Sequence, residues 1–127
     1  MSDNKNVITC PACNHLMQKI YVPSECIDID LCSDGCGGIF FDKGEMFKIN
    51  DNFKHIKDLK AYLDKEYIKS DFIATNDKEP RYCPVCNILM NKSHVANGTV
   101  IMDSCTNCGG VFLDRGELEK IKQALSD

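Results

Sequence analysis

The sequence predicts a small metal-bound α+β fold, in which two β-hairpins, each clamped by metal and followed by a helix, are joined by a longer helix and a polar linker. Three observations predict it. The chain of 127 residues has nine cysteines, most of them in close pairs. The second half of the chain repeats the first, and an amphipathic segment separates the two copies. At this length one ordinary domain or two small ones are expected.

The cysteine pairs have the spacing of metal ligands. Each repeat reads C-x2-C, then 18 residues, then C-x3-C in the first copy or C-x2-C in the second. A C-x2-C turn brings two sulfurs onto one metal, and the chain must then reverse and return so that a second turn completes a tetrahedron. The pattern predicts two zinc sites rather than unligated core cysteines. Their ligands are Cys10, Cys13, Cys32 and Cys36 (the first tetrad) and Cys83, Cys86, Cys105 and Cys108 (the second tetrad).

The repeat extends well beyond the cysteines. Residues up to Cys32 recur 73 positions later, and residues from Cys36 onward recur 72 positions later, because the first copy has one extra residue between its second pair of cysteines. Gene duplication explains this agreement economically. Repeated pairs include Lys19 and Lys92, Asp30 and Asp103, Phe40 and Phe112, and Asp42 and Asp114.

Each stretch between the cysteine pairs is predicted to form a β-hairpin. In the second copy Asn97-Gly98 lies between β-prone runs, which is the strongest short hairpin signal. The first copy has a looser turn, Val-Pro-Ser-Glu, at 22–25. Hairpins clamped by metal at the root are zinc ribbons, so residues 10–50 are interpreted as the first ribbon and residues 83–125 as the second.

A helix is predicted to begin after each ribbon. Asp followed three residues later by Glu is a helix-start signature, so Asp42 and Asp114 are expected to be N-caps, with Glu45 and Glu117 reaching back. The alternative is that these Asp and Glu pairs form acidic contact sites or catalytic sites. The aromatic residues just before the caps, Phe40 and Phe112, are expected to pack across their own hairpins, with a surface role in partner binding as the alternative.

Residues 51–73 are predicted to form the amphipathic helix, because apolar residues recur there at steps of three and four. The run Asn-Asp-Asn at 50–52 weakens helix propensity, so either one helix from about Lys43 to Lys69 or two helices broken at that run are expected. Acids alternate with the lysines of this segment, as on a solvated face. Residues 1–9 are expected to be a flexible arm and 74–82 a polar linker. The apolar positions are Met46, Ile49, Phe53, Ile56, Leu59, Leu63 and Tyr67.

Composition narrows the function. The formal charge of −4 would fall to −8 with metal bound, because eight thiolates add −8 and two divalent ions add +4. This negative net charge argues against non-specific electrostatic binding to nucleic acid. No signal peptide or membrane span is visible, so a cytoplasmic protein without a membrane partner is expected. Thiols stay reduced in the cytoplasm, which favours metal over disulfides.

A few residues fall outside the repeat pattern of the ligands. The histidines His15, His55 and His94 have no partner at ligand spacing and are expected to be surface or packing residues. Cys26 matches Thr99 in the other copy, so it is expected to be a small buried hydrophobe or a free thiol. Gly35, in the longer cysteine turn, is expected to adopt a positive φ.

The motif Cys-Gly-Gly-Ile/Val-Phe-Phe/Leu-Asp-Lys/Arg-Gly-Glu, preceded by Cys-Pro-x-Cys, resembles the transcription-factor-IIB-type zinc ribbon family. The resemblance covers residues 10 to about 50 and 83 to about 125. It implies zinc-bound ribbons and hints at transcription. Two departures are that Phe40 and Phe112 stand where the family usually has Trp, and that the turn from Cys32 to Cys36 is one residue longer than usual.

The sequence predicts a non-enzymatic adaptor, with no catalytic residues, that presents its hairpins or the apolar face of the long helix to a protein partner. Closed four-cysteine sites leave no coordination position for chemistry. One alternative is a ribbon protein that binds DNA or RNA. Another is a rubredoxin-like electron carrier, because C-x2-C pairs also hold single iron ions. The 18-residue spacing and the lack of a neighbouring cofactor motif favour two Zn2+ ions.

Overall fold

The protein is built on one antiparallel sheet of six strands. The computed structural model describes residues 7–23, 27–42, 59, 61–63, 65, 72–95, 100–117 and 120. Within these residues the strand order is β1-β2-β3-β6-β5-β4. The strands are β1 (Gln18–Val22), β2 (Ile27–Leu31), β3 (Ile39–Phe41), β4 (Asn91–Val95), β5 (Val100–Ser104) and β6 (Val111–Leu113).

Both predicted hairpins are present. β1 pairs antiparallel with β2, and β4 pairs antiparallel with β5. The predicted turn at Asn97-Gly98 and the second half of the turn at 22–25 lie outside the described residues. Each repeat also has a third strand, β3 or β6, which the sequence did not predict and which follows the second cysteine turn directly. Each ribbon is therefore a three-stranded unit rather than a hairpin alone.

The two ribbons join edge to edge. β3 pairs antiparallel with β6, and the central pair of the register is Phe40 opposite Phe112. These two phenylalanines are equivalent positions of the repeat, so an approximate twofold axis passes between them. Joining two such edges satisfies backbone groups that would otherwise be left unpaired on both ribbons. The ribbons therefore form one continuous sheet.

One face of the sheet carries the main apolar core. Its buried strand residues are Ile20, Val22, Ile27, Ile29, Leu31, Ile39, Phe41, Val100, Val111 and Leu113. Leu59 and Leu63 from the amphipathic segment are buried against this face. Their spacing of four residues places both on one side of a helix. In the part of the segment that the structure describes, the apolar face of the helix is therefore covered by the sheet, so the prediction that it is presented to a partner is wrong there.

The helices are described only in part. Helical conformation is found at Leu59, 61–63 and Lys65, and again at 115–117 and Lys120. No described helix is long and apolar enough to cross a membrane. The predicted run at 50–52 and the predicted apolar positions Met46, Ile49, Phe53, Ile56 and Tyr67 lie outside the described residues.

The opposite face of the sheet carries a row of repeated side chains. The row runs across all six strands in the order Lys19, Asp30, Phe40, Phe112, Asp103 and Lys92. It reads the same from either edge, because the twofold axis lies at its centre. The repeated lysines, aspartates and phenylalanines of the sequence are therefore cross-strand neighbours, the pairs that stabilise a sheet.

The linker contacts both ribbons. Residues 72 and 73, which were predicted to end the amphipathic helix, contain neither helix nor strand and continue into the linker at 74–76. The N–H of Ile73 donates to the carbonyl of Gly35 in the first ribbon at 2.9 Å. The hydroxyl of Thr75 donates to Asp114 in the second ribbon at 2.6 Å. These bonds fix the linker at the place where the two ribbons meet.

Candidate metal centres

The eight predicted ligands come together as two groups. Within each tetrad the four sulfurs lie within 4.8 Å of one another. The shortest separations are 3.3 Å between Cys13 and Cys32, 3.6 Å between Cys10 and Cys36, and 3.7 Å between Cys83 and Cys108. These distances far exceed the S–S bond of about 2.05 Å, so none of these cysteines is in a disulfide.

The sulfur separations suit a tetrahedral metal ion. Four sulfurs placed about 2.3 Å from a zinc ion at the corners of a tetrahedron lie about 3.8 Å apart. The observed contacts of 3.3–3.7 Å are close to that edge length. The structure thus contains two four-cysteine groups that can each hold one metal ion, as the sequence predicted from spacing alone.

Repeated backbone conformations shape the cysteine turns. Asn14 and Asn87, which follow the Cys-Pro-x-Cys turns, have φ values of 68° and 63°. Gly37 and Gly109, which follow the second turns, have φ values of 77° and 80°. Asparagine and glycine are the residues that tolerate this left-handed region best. Their recurrence in both copies therefore has a local conformational cause.

Gly35 has a different role from the predicted one. Its φ is not among the positive values, so the prediction of a left-handed glycine is wrong. A Cβ at this position would lie 2.6 Å from the sulfur of Cys13 and 2.8 Å from the sulfur of Cys32. The extra residue of the longer turn passes so close to the first tetrad that only a glycine fits.

Backbone N–H groups donate hydrogen bonds to the cysteine sulfurs, and more of these bonds are found in the second tetrad than in the first. In the second tetrad, four such groups donate to sulfur at 3.4 Å, among them the N–H of Cys86 to Cys83 and the N–H of Cys108 to Cys105. In the first tetrad, two do so at this distance, the N–H groups of Ala12 and Gly38, whereas those of Cys13 and Cys36 interact with Cys10 and Cys32 in poorer hydrogen-bond geometry. Bonds of this kind orient the ligands and stabilise their charge. The two N–H groups without such a bond in the first tetrad are that of Cys13, in the first turn, and that of Cys36, in the longer second turn.

Each tetrad also receives one side-chain contact that the sequence did not predict. The Nδ1 atom of His15 lies 3.3 Å from the sulfur of Cys13. The side-chain amide of Asn107 donates to Cys86 at 3.2 Å. These donors come from different places in the two repeats, so neither repeat alignment nor ligand spacing could reveal them. Cys26 and His55 lie outside the described residues.

The thiols of a tetrad differ in acidity. A hydrogen bond from Cys36 lowers the pKa of Cys10 to about 5, and the same bond raises the pKa of Cys36. Burial raises the pKa of Cys32 to about 12. In the second tetrad, burial acts to raise the pKa of Cys105, but hydrogen bonds led by the Cys108 N–H outweigh it and lower the pKa to about 7. Each tetrad thus pairs a readily ionised thiol with thiols that hold their protons, and a divalent cation would displace those protons.

Phe40 and Phe112 lie between the two metal centres. Both are fully buried and belong to one cluster with Met17, Met90 and cysteines of both tetrads. The ring of Phe40 lies over Gly110 of the second ribbon, and the ring of Phe112 lies over Gly38 of the first. The prediction that each ring packs across its own hairpin is therefore wrong, because each crosses the β3–β6 junction. Their burial also rules out the alternative of a surface role.

The carboxylates of Asp114 and Glu117 are both engaged in hydrogen bonds within the protein. The helix begins at residue 115, so Asp114 holds the N-cap position that the sequence predicted. Its carboxylate, however, accepts two hydrogen bonds of 2.9 Å from the guanidinium of Arg81. Glu117 accepts from the N–H of Ile101 at 2.8 Å instead of reaching back to Asp114. The side chains of both acids thus bind residues outside the helix start, which leaves the predicted capping box unformed. Glu45 lies outside the described residues.

Comparison with known proteins agrees with this geometry. No curated protein and no solved structure matches the chain. The family described as "Transcription factor zinc-finger" matches residues 9–51 and again residues 82–124, which together are about two thirds of the chain. Each matched region encloses one tetrad and three strands. The chain therefore belongs to the transcription factor zinc-finger family, as two tandem copies.

Proposed function

We propose that each tetrad binds one structural Zn2+ ion. The support is a closed set of four sulfurs at tetrahedral spacing, together with membership of a zinc-finger family. Elemental analysis of the purified protein should find two zinc ions per chain, and the solution should be colourless. A red protein with iron in place of zinc would overturn this assignment and support an electron carrier.

We further propose that the protein is a non-enzymatic adaptor that binds a protein partner through the first turn of the second ribbon. The observation that carries the proposal is a group of exposed apolar side chains there. Tyr82, Val85, Ile88 and Leu89 are 58, 55, 39 and 53 % exposed. Tyr82 and Leu89 are bridged through their backbones, so the group is held together in space. We call these four residues the apolar patch.

Comparison of the two repeats supports a binding role for the apolar patch. Equivalent positions in the first ribbon are Thr9, Ala12, His15 and Leu16, so only one of the four is a large apolar residue. The two turns have the same backbone conformation and the same metal-binding pattern. Metal binding therefore does not require the apolar side chains of the second ribbon. Large exposed apolar groups clustered on one side of a protein are typical of interaction surfaces.

The test compares equivalent positions in the two ribbons. Tagged zinc-loaded protein should capture a discrete partner from an extract of its own cells, and the family description makes the transcription apparatus the first place to look. Leu89→Asp should abolish capture, whereas Leu16→Asp, at the equivalent exposed site of the first ribbon, should not. Equal capture by both variants, or a protein that is only monomeric in extract, would refute the adaptor role. Binding to nucleic acid that weakens steeply with salt would instead favour the alternative.

A further inference from the structure

One buried carboxylate oxygen in the first ribbon has no hydrogen-bond partner among the described residues. Asp30 is 1 % exposed, and its Oδ2 atom lies 3.3 Å from the ammonium of Lys19. Its Oδ1 atom is buried and accepts no hydrogen bond from any residue that the structure describes. A buried polar atom in this condition is uncommon in native proteins and costs free energy. The position therefore calls for a donor from outside the described part of the chain.

The second ribbon shows which donor fits there. The equivalent carboxylates, Asp103 and Asp114, both lie within ion-pair distance of the Nη1 atom of Arg81. Arg81 forms a two-pronged bond with Asp114, lies 3.6 Å from Asp103, and stacks 5.5 Å from the ring centre of Phe112. Lys92 still binds the other oxygen of Asp103 at 2.8 Å. An ammonium and a guanidinium thus share the two carboxylates.

Ile8 replaces the arginine in the first ribbon. The two positions are equivalent in backbone as well as in sequence: the carbonyl of Ile8 accepts from Met17, and the carbonyl of Arg81 accepts from Met90, both at 2.9 Å. Asp30 and Asp42 remain, but Lys19 is their one described cationic partner. Compared with the second ribbon, the first lacks one positive charge and one planar donor.

A cavity lies beside these carboxylates. Its volume is about 320 Å³, and Val7, Ile8, Lys19, Asp30, Asp42, Pro84 and Val85 line it. Asp30 and Asp42 of the first ribbon therefore line this cavity, which also reaches the first cysteine turn of the second ribbon. Val85 is also part of the apolar patch proposed above as the partner surface. A residue entering the cavity would thus lie next to groups contacting the patch.

We propose that this cavity receives the guanidinium of an arginine side chain from the partner protein, in the way that Arg81 fills the equivalent site. The inference rests on the proposed adaptor function and names the chemistry of its partner. The guanidinium would bridge Asp30 and Asp42, because its planar fork matches two carboxylates. The apolar walls made by Ile8 and Val85 would cover its aliphatic stem.

The test uses a small probe, so that it does not depend on finding the partner. N-acetyl-arginine N-methylamide is titrated into zinc-loaded protein while the amide resonances of Ile8, Asp42 and Val85 are followed. Saturable shifts at these amides are expected. The citrulline analogue, which has the same shape without the charge, should give none, and the lysine analogue should bind more weakly because it lacks the fork.

Variants locate the binding. Ile8→Arg should place a guanidinium of the chain itself in the cavity and weaken probe binding about tenfold or more. Ser93→Arg adds the same charge at an exposed position of β4 and should bind the probe as the native protein does. Asp42→Asn, at a half-exposed site, should weaken probe binding without unfolding the ribbon. This variant therefore tests the proposal even if the Ile8→Arg protein does not fold.

Several results would overturn the proposal. These are equal binding of the citrulline analogue, unchanged binding in Asp42→Asn, and unchanged binding in a folded Ile8→Arg protein with two zinc ions. Tighter binding of free arginine than of the blocked probe would point to a small-molecule site and exclude a partner side chain. If the probe fails to bind while Leu89→Asp still abolishes partner capture, the arginine inference fails and the adaptor role stands.

Discussion

At the scale of single residues, the differences between the two copies are more informative than the similarities. Asn14 and Asn87 recur because both turns need a left-handed residue. Arg81 does not recur, and in the first ribbon one oxygen of Asp30 has no partner among the residues that the structure describes. The two copies can therefore be compared position by position. The second copy pairs its buried carboxylates with Arg81, and the first copy has no arginine at the equivalent position.

Gly35 gives the first prediction. Gly35→Ala should lower the zinc affinity of the first tetrad about tenfold or more, because the added Cβ displaces the sulfurs of Cys13 and Cys32. A tenfold loss of affinity corresponds to about 1.4 kcal/mol. The second tetrad should keep its affinity. Chelator competition followed by the cysteine resonances of each ribbon measures both. The matched control is Gly116→Ala, where nothing lies within 4 Å of the new Cβ; equal effects of the two variants would contradict the steric explanation.

Arg81 gives the second prediction. Arg81→Met should destabilise the zinc-loaded protein by about 3–5 kcal/mol, because removing one partner of a buried ion pair leaves its charge uncompensated. Both Arg81 and Asp114 are almost fully buried. Lys120→Met is the control, since Lys120 is 45 % exposed and a pair of this kind contributes about 0–1 kcal/mol. Urea denaturation measures the free energy of unfolding of both variants. Similar losses of stability would show that burial of the ion pair does not determine its contribution.

At the scale of elements, the junction of β3 and β6 turns two ribbons into one sheet. Its three residue pairs are all apolar and fully or nearly fully buried. Each phenylalanine ring lies over the backbone of a glycine in the opposite ribbon. The Gly-Gly pairs after the second cysteine turns therefore serve two purposes. Gly37 and Gly109 take the left-handed conformation, and Gly38 and Gly110 leave room for the rings.

The junction gives the third prediction. Gly110→Ala should destabilise the protein by about 1–3 kcal/mol, because its Cβ would overlap the ring of Phe40 in a packed core. Phe40→Leu should rescue part of this loss in the double variant, since the smaller side chain makes room. Phe112→Leu is the matched control and should not rescue, because its ring lies over Gly38. Thermal unfolding of the zinc-loaded variants measures the difference; equal rescue by both leucines would contradict the crossed packing.

The sequence predicts the hairpins and the cysteine groups because their signals are local. Cysteine spacing depends on short turns, and the hairpins lie between the turns. The third strands were not predicted, because Ile-Phe-Phe at 39–41 is short and buried on both faces, so it lacks the alternation of a half-exposed strand. The crossed packing of Phe40 depends on the joining of two ribbons, and no pattern within one repeat indicates that. The His15 contact depends on the path of a loop for the same reason.

At the scale of the whole molecule, folding is predicted to depend on metal. Each ribbon has about 40 residues, a size at which an apolar core alone seldom suffices. Structural zinc supplies about 10–16 kcal/mol in small fingers, which is comparable to the entire stability of such a unit. A strong chelator should therefore collapse the sheet, while circular dichroism retains some helix from the amphipathic segment. Unchanged amide dispersion after verified metal removal would contradict this.

The two metal centres are predicted to be unequal, with the first tetrad binding zinc less tightly. Two backbone N–H groups donate to its sulfurs, compared with four in the second tetrad. Fewer donors stabilise the thiolate charge less. The longer turn also carries Asp34, which adds a negative charge close to a site that is net anionic with zinc bound. The second tetrad has neutral Thr106 and Asn107 in the same turn. The contact of Asn107 with Cys86 does not separate the two sites, because His15 makes a similar contact with Cys13 in the first tetrad.

Stepwise chelation should therefore change the resonances of Cys32 and Cys36 before those of Cys105 and Cys108. Samples must reach equilibrium at each step, because Cys36 is more buried than Cys108 and its slower access to chelator would otherwise mask the weaker affinity. Asp34→Asn should narrow the gap between the two sites without closing it, since the missing N–H donors remain missing. Loss of both metals together, or loss from the second tetrad first, would show that charge and backbone donors at the turn do not set the order.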